Sequence, residues 1–594
     1  MRFGQAAAAS ALLGLAAVGS PARADTPKAS VEGVTNDDLR KRIERSIGVV
    51  EHPADSRFQA RQRANEAAED AVAALRSEGY YAYEVEPELT DSDPPKPVVR
   101  IDPGPRFRLA DPRVTWVAPP PDPESADAAV AAIKLRPGEP GRAADVIAGE
   151  GRVISALNQN GYADAAAEPR EVIVDHAAET VQPTFRISAG ELVHLDGVRV
   201  ETAGRTNPAW VVALAPWKSG AVYDPDDVAE LERRLLDTSV YTSVTVALAP
   251  ESDADGLRPV VVSLADRPRR VLEAGVGWST AEGFGLDTQW TWYNRLARAD
   301  TLTAEVRLAE LESRIGGALS LPHWRKPGRT LRLAGGLFYE DTEAYVRSGV
   351  GAEAALTHRL GKTSFITYGV KVEASHNEEP EFDPATGLSP TVERDLVTLR
   401  AIGGLALDRS DNPLNPTRGW RINGRLEPTQ VLGDEELTYG RVDAQGTYYV
   451  PFNQGRTVVA GRLRLGSLVG GTLPEMPTAE RYFAGGGGSV RGYAYQGVGP
   501  RFPDNTPSGG LSLAEGSLEL RQRIFENWGY VLFSDVGAVG LEPSPSFDGA
   551  KFSLGVGARY FLPFGPIRAD VAVPVNPEEG DPSFQIYISI GQAF

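Results

Sequence analysis

The sequence predicts two architectures in series: an α+β repeat over residues 25–268, then a sixteen-stranded antiparallel transmembrane β-barrel over residues 269–594. Three observations carry this reading. Helical stretches closing on a Leu-x-x-x-x-Tyr pattern recur along the first part. Apolar and polar residues alternate with period two through the second, between turns rich in Gly, Asn, Asp and Pro. An export leader precedes both.

The leader comes first. Arg2 supplies the basic start and Ala6 to Val18 the apolar run, and Ala22-Arg23-Ala24 gives the small-x-small pattern that signal peptidase reads. Residues 1–24 are therefore expected to be removed, leaving a mature chain that begins near Asp25. The apolar run is too short to span a bilayer. With no cysteine among 594 residues, the exported chain relies on neither disulfides nor thiolate metal sites. Its formal net charge of −19 argues against nucleic acid, which is bound through basic patches. Mean hydropathy is −0.25 and no long apolar run follows the leader. In a barrel strand, lipid-facing and lumen-facing residues alternate and average to neutral, so neither fact excludes one.

The α+β part is a repeat. Leu75-Arg76-Ser77-Glu78-Gly79-Tyr80, Leu157-Asn158-Gln159-Asn160-Gly161-Tyr162 and Leu236-Asp237-Thr238-Ser239-Val240-Tyr241 align, each after a helical stretch and before a strand. Gly79 and Gly161 suit the position past a helix end, where positive φ is needed. Val240 does not, so the third helix is expected to end differently. Val99-Arg100-Ile101-Asp102-Pro103-Gly104 and Phe185-Arg186-Ile187-Ser188-Ala189-Gly190 mark matching unit ends. The period, roughly 80 residues, suits a small domain rather than a solenoid repeat. The pattern resembles the POTRA domains, of β-α-α-β-β order, found in outer-membrane assembly factors. It divides the arm into POTRA-like units at 25–104, 105–190 and 191–268. Such domains are thought to bind by adding a strand to a sheet edge, so no binding residue is singled out in them.

From Arg269 the pattern changes. Leu302, Ala304, Val306 and Leu308 share one face of a strand, and Thr303, Glu305 and Arg307 the other. Near the end, Phe584, Ile586, Ile588 and Ile590 alternate with Gln585, Tyr587, Ser589 and Gly591. At about 20 residues per strand and turn, this region holds about sixteen strands. The first is expected at Arg269–Thr280, the eighth near Glu393–Asp408, the eleventh near Arg456–Gly470 and the twelfth near Leu511–Phe525. The thirteenth is expected near Tyr530–Gly540 and the last near Ser583–Ala593. With the arm in the periplasm, connections after odd strands face outward. The tight Asp408–Gly419 turn then faces inward, and the long Gly471–Gly510 connection starts outside.

That long loop contains Gly485-Gly486-Gly487-Gly488-Ser489-Val490-Arg491-Gly492-Tyr493. A glycine-rich run can cradle phosphate, yet no Lys-Ser/Thr follows it. Gly361-Lys362-Thr363 has Leu356 where the upstream glycine would stand. No Gly-x-Ser-x-Gly elbow or His-Glu-x-x-His occurs, and the six histidines are scattered. No enzymatic activity, metal or cofactor is expected. Val490-Arg491-Gly492-Tyr493 instead resembles the Val/Ile-Arg-Gly-Phe/Tyr loop motif of the BamA/TamA superfamily of outer-membrane assembly factors. Gly516-Ser517-Leu518-Glu519 is similar to that superfamily's Gly-x-x-Glu pattern, and Phe533-Ser534-Asp535-Val536-Gly537 to its Phe-x-Asp-x-Gly. The resemblance implies a loop folded into the lumen, with Arg491 meeting Glu519 and Asp535 on the wall. A guanidinium fork suits two carboxylates approaching from different sides, and Gly492 lets the backbone turn against the wall.

The resemblance also implies an outer-membrane location, periplasmic N-terminal domains and a working seam between first and last strands. Gly275 and Gly277 on one side and Gly591 on the other offer little side-chain packing to that seam. Phe594 is expected to serve as an assembly signal and one end of the gate. Three arm units and the ending Ser589-Ile590-Gly591-Gln592-Ala593-Phe594 are most similar to the TamA branch. That branch implies a TamB-like partner anchored in the inner membrane, and clients among autotransporters and other outer-membrane β-barrels. The alternatives are a two-partner-type polypeptide secretion pore, which should carry two arm units, and a BamA-like general insertase.

Overall fold

The computed structural model describes residues 26–594 apart from 118, 281, 362, 383–385, 387–388, 563–564, 591 and 594. The leader at 1–24, Gly591 and Phe594 therefore lie outside the described residues. The chain divides into two compact units. One runs up to Gly197 and adds Trp217–Ala229 and Leu248–Val260; the other comprises Val198–Pro216, Glu230–Ala247 and Val261 onward.

The N-terminal region runs through β1 (Thr26–Pro27), β2 (Ser30–Glu32), α1 (Asp37–Ile47), β3 (Val49–Val50), α2 (Arg57–Ser77), β4 (Glu84–Leu89) and β5 (Pro97–Asp102). Next come β6 (Arg108–Leu109), β7 (Arg113–Val117), α3 (Pro123–Ala131), α4 (Ala143–Gln159), β8 (Ala166–Asp175) and β9 (Thr180–Ser188). A third stretch holds β10 (Leu195–Thr202), α5 (Pro208–Val212), α6 (Pro225–Leu236), β11 (Tyr241–Leu248) and β12 (Arg258–Asp266). The last strand of each stretch is central: the first and third sheets are ordered β2-β5-β4 and β10-β12-β11, and β9 pairs with β6, β7 and β8. Sequence explains the helices. Asn36 caps α1 by accepting from the Asp38 and Leu39 amides, and Leu39, Ile43 and Ile47, four apart, bury one face. Along α2 the buried face is mostly alanine, which brings the backbone close to its neighbours.

The helix ends follow the aligned motif. Gly79 (φ +91°) and Gly161 (φ +94°) supply positive φ just beyond α2 and α4. After α6 the same role passes one position earlier to Ser239, at φ +59°. The buried Val240 is thereby kept out of a conformation that a β-branched residue tolerates badly.

The barrel begins with β13 (Arg270–Ser279), β14 (Gly283–Tyr293), β15 (Thr301–Ala309), β16 (Glu312–Leu321) and β17 (Arg329–Asp341). It continues with β18 (Val346–Arg359), β19 (Phe365–Pro380), β20 (Thr391–Asp408), β21 (Gly419–Gly433), β22 (Leu437–Phe452) and β23 (Thr457–Val469). It ends with β24 (Ser512–Arg523), β25 (Trp528–Gly540), β26 (Lys551–Leu562), β27 (Gly565–Pro574) and β28 (Gln585–Ile590). These sixteen antiparallel strands close on themselves, β28 returning to β13. No helix among the described residues is long and apolar enough to cross a membrane. The strands present outward apolar rows such as Leu272 and Val276, which are 69 % and 71 % exposed. Inward rows are charged: Arg347 holds Glu340 at 2.8 Å and Glu373 at 3.2 Å.

Within the second unit, the short β-barrel turns are fastened to neighbouring α/β residues. The Asn207 amide donates to the Ala297 carbonyl at 2.9 Å, and Asn294 Nδ2 to Thr206 Oγ1 at 2.8 Å. His323 Nε2 bonds the Arg234 carbonyl at 2.8 Å while its Nδ1 accepts from the Gly328 amide. Arg359 also pairs with Asp237.

Candidate functional site

The connection from β23 to β24 folds inward and packs against the wall. Met476, Tyr482, Ala484, Val490, Tyr493 and Val498 from the loop form one apolar cluster with Leu437, Tyr439, Leu468, Leu513 and Val539 from the strands. A charged loop segment would lose hydration there without compensation, so burial demands both this apolar packing and full pairing of every charge. Two glycines make the path possible. At Gly485 (φ +107°) a Cβ would lie 2.3 Å from the Ala494 carbonyl oxygen, and at Gly492 (φ +101°) it would lie 3.1 Å from the Val573 carbonyl carbon.

Arg491 sits at the centre, 2 % exposed. Its Nε and Nη2 donate to the two oxygens of Asp535 at 2.7 and 2.9 Å, and its Nη1 donates to Glu519 Oε1 at 2.8 Å. The Arg491 amide adds a bond to Asp535 at 3.2 Å, and the guanidinium lies 3.5 Å from the Phe533 ring centroid. The structure thus brings Arg491, Glu519 and Asp535 together. Val490 and Tyr493 flank them, fully buried. Val490 fits only because Gly537 has no side chain: a Cβ there would stand 2.4 Å from Val490 Cγ2. Tyr493 donates toward Phe552 O and Asn576 Oδ1, both at 3.1 Å.

Sequence reasoning missed several members of this site. Asp570 on β27 approaches Arg491 Nη1 at 3.4 Å and pairs with Arg559. It is an inward position on a period-two strand, and it occupies space left open by Gly557. Glu519 is shared with Arg521 at 2.9 Å. The buried cluster therefore interleaves arginines and carboxylates, which is how such charges become tolerable in a low-dielectric interior. A second anchor holds the loop's other leg against the far wall. Glu480, in a short turn at Thr478–Glu480, accepts from Arg400 Nη2 at 2.7 Å and from the Tyr439 hydroxyl at 2.6 Å. The Thr478 amide bonds Glu379. Nothing in the local sequence around Glu480 distinguishes it from an exposed loop acid; only the fold does.

At the seam, β13 and β28 share the pairs Trp278↔Ile588 and Ser279↔Tyr587, continued by Thr280 with Ile586. Gly275 and Gly277 face Asp287 and Gly285 of β14 and, among the described residues, have no partner on β28. A Cβ at either would meet nothing within 4 Å, so close approach does not require glycine there. The lumenal loop touches both sides of this seam. The Gly492 amide donates to the Tyr587 hydroxyl at 3.0 Å, and the Gly487 amide to Glu282 in the β13–β14 turn at 3.1 Å. Among the described residues no group of His, Cys, Asp or Glu is arranged to hold a metal.

Comparison with known proteins gives this geometry a context. The profile of the Omp85 superfamily domain matches residues 294–594. The outer membrane protein assembly factor BamA of Neorickettsia risticii is 22 % identical over 447 residues, which cover 72 % of this chain and 58 % of that protein. BamA of Nitratidesulfovibrio vulgaris is 22 % identical over 426 residues, covering 70 % and 53 %. The chain thus spans less than two thirds of these relatives. The crystal structure of BamA from Haemophilus ducreyi lacking POTRA domains 1–3 superposes with a TM-score of 0.64 at 20 % identity, covering 81 % of this chain and 99 % of that one. That likeness establishes the shared fold.

Proposed function

The chain belongs to the Omp85 superfamily, and from that premise we propose that it assembles and inserts other β-barrel proteins through the seam between β13 and β28. Its barrel lies in the outer membrane and its N-terminal domains in the periplasm. The observation that carries the proposal is the seam itself. An unpaired strand edge in lipid is costly, and the Arg270–Gly277 stretch of β13 is paired on one side only among the described residues. Such an edge can template an incoming strand. The chain performs no enzymatic chemistry in this reading: its catalyst is an exposed hydrogen-bonding edge.

Within the superfamily, the α/β order recurring before the barrel favours a TamA-like role, with a TamB-like inner-membrane-anchored partner and autotransporters among the clients. Pull-down from membranes tests that finer assignment. Recovery of a very large inner-membrane-anchored protein supports it, whereas recovery of assembly-machine lipoproteins points to a BamA-like insertase. A two-partner-type secretion pore would share the barrel and the arginine loop motif; reconstituted conductance and export of a co-encoded partner would support it instead.

The native chain has no cysteine, so a seam cross-link is clean. In Trp278→Cys/Ile588→Cys, oxidation should abolish insertion of a client barrel into vesicles and reduction should restore it. Equal insertion by the oxidised and reduced forms would refute the proposal.

A further inference from the structure

The chain carries a net charge of −19, yet one place on its outer surface gathers cations without partners. At the periplasmic end of the first hairpin, the guanidiniums of Arg269, Arg270 and Arg295 lie 5.0, 4.9 and 4.4 Å from the centroid of a single ring, Trp292. All three arginines are exposed, and among the described residues none makes an ion pair or donates a side-chain hydrogen bond. The acid nearest Arg295 in sequence, Asp300, is buried and already accepts from the Arg295 and Leu296 amides. The Trp292 Nε1 is buried and has no hydrogen-bond partner among the described residues.

This group faces lipid, not the lumen. Arg270 lies opposite Trp292 in the ladder, and Leu272 lies opposite Trp290. By the period-two rule these residues share the outward face with Leu272 and Val276, the exposed apolar row of β13. Because β13 leaves the periplasmic domains, its first residues stand at the inner boundary of the membrane. A tryptophan pair at that boundary, Trp290 and Trp292 with centroids 5.8 Å apart, is what an interfacial belt consists of.

Three like charges converging on one indole repel one another unless an anion joins them. The cation–π contacts fix the forks in place but leave their N–H donors free for oxygen. We propose that Arg269, Arg270 and Arg295, held around Trp292, bind the phosphate of an anionic phospholipid in the periplasmic leaflet. The ligand chemistry is a phosphate monoanion with its oxygens held by guanidinium forks, and the apolar row above Trp290 receives the acyl chains. The site sits at the root of the strand whose edge forms the seam, so a bound headgroup tethers the β13–β14 hairpin while β28 is free to move. The inference rests on the outer-membrane location and stands whether or not the seam inserts clients.

The test uses the full chain in vesicles of equal parts phosphatidylcholine and phosphatidylglycerol, extracted and examined by native mass spectrometry for retained lipid. The wild type should retain phosphatidylglycerol over phosphatidylcholine by about thirtyfold, since three basic residues near a membrane surface at about threefold each multiply. Arg269→Gln/Arg270→Gln/Arg295→Gln should lose that preference while keeping heat-modifiable migration as evidence of a folded barrel. Arg295→Gln alone, in an exposed turn where folding is not at stake, should lose about threefold. The all-Lys counterpart, which keeps the charge but not the forks, should retain only part of the preference. Wild-type selectivity in the Arg295→Gln variant would overturn the proposal. So would full displacement of the lipid by excess inorganic phosphate, which would mark a site for free anion instead.

Discussion

Two walls of this barrel are built on opposite terms. β19 and β20 pair without a break from Phe365↔Ala406 to Pro380↔Thr391, along strands of 16 and 18 residues. Among the described residues, β13 and β28 meet only at Trp278↔Ile588 and Ser279↔Tyr587. A strand needs about 9–11 residues to cross the hydrocarbon core, a length both strands of the far wall exceed. The contrast extends to the loop between β23 and β24. On the far wall it is held by Glu480; near the seam it is held by Arg491, and it also touches Tyr587 and Glu282 on the two seam-forming hairpins. What backbone pairing leaves weak, the loop reinforces from inside. The seam is therefore a joint with an internal clasp rather than a defect.

The sharpest way to break this contrast is Arg491→Ala. It leaves Asp535 and Glu519 buried with reduced compensation, at a cost of about 3–5 kcal/mol. It also releases the Gly492–Tyr587 bond, so the seam should loosen along with the loop. Heat-modifiable migration should be lost at lower temperature, and protease access to 485–493 should rise. Unchanged melting would mean that the loop does not clasp the seam. Glu480→Gln acts on the other anchor. The amide still accepts from Tyr439 but no longer neutralises Arg400, so the loss should be about 2 kcal/mol. Hydrogen exchange should increase in 472–482 and remain at wild-type level in 585–590. Loosening of both regions together would show that the two anchors act as one.

The sequence made the barrel legible because period two is written into every strand. The expected first, eighth, eleventh, twelfth, thirteenth and last segments correspond to β13, β20, β23, β24, β25 and β28 within a few residues at each end. Arg491, Glu519 and Asp535 were legible because their glycines are spaced to a motif, and the structure gives those glycines a reason: Gly537 makes room for Val490. Asp570, Tyr587, Glu282 and Glu480 were not legible. Asp570, Tyr587 and Glu282 meet the loop across 79, 95 and 205 residues of chain, and the loop's own Glu480 meets Arg400 on the wall across 80. No local pattern records a meeting produced by closure of the barrel. The same holds for the headgroup site, since Arg269, Arg270 and Arg295 converge only when the hairpin brings both ends of the ladder to Trp292.

The smallest effect concerns how the seam side is held from below. Its turns at 294–300 and 322–328 are those fastened to Asn207, Thr206 and Arg234. His323, in the second of these turns, is half-buried, and its partial desolvation holds its ring below the usual imidazole range; the nearby Arg234 charge acts in the same direction, partly opposed by the bond to the Arg234 carbonyl. A histidine whose folded-state pKa is depressed stabilises the fold fully above its unfolded value of about 6.5, and that contribution is lost as pH falls toward the folded value. Acidification through that depressed folded value should thus protonate His323, which then has no acceptor to offer the Gly328 amide. Protection of the 323–328 amides, taken relative to their intrinsic exchange rates at each pH, should fall with acid in the wild type and stay constant in His323→Gln, whose amide can still bond the Arg234 carbonyl. Protection at the far-wall turn 409–418 should not change in either protein, because no histidine lies in it. An equal acid response in both turns would mean that the low-pH loosening is a property of the whole barrel and that the seam side has no separate fastening.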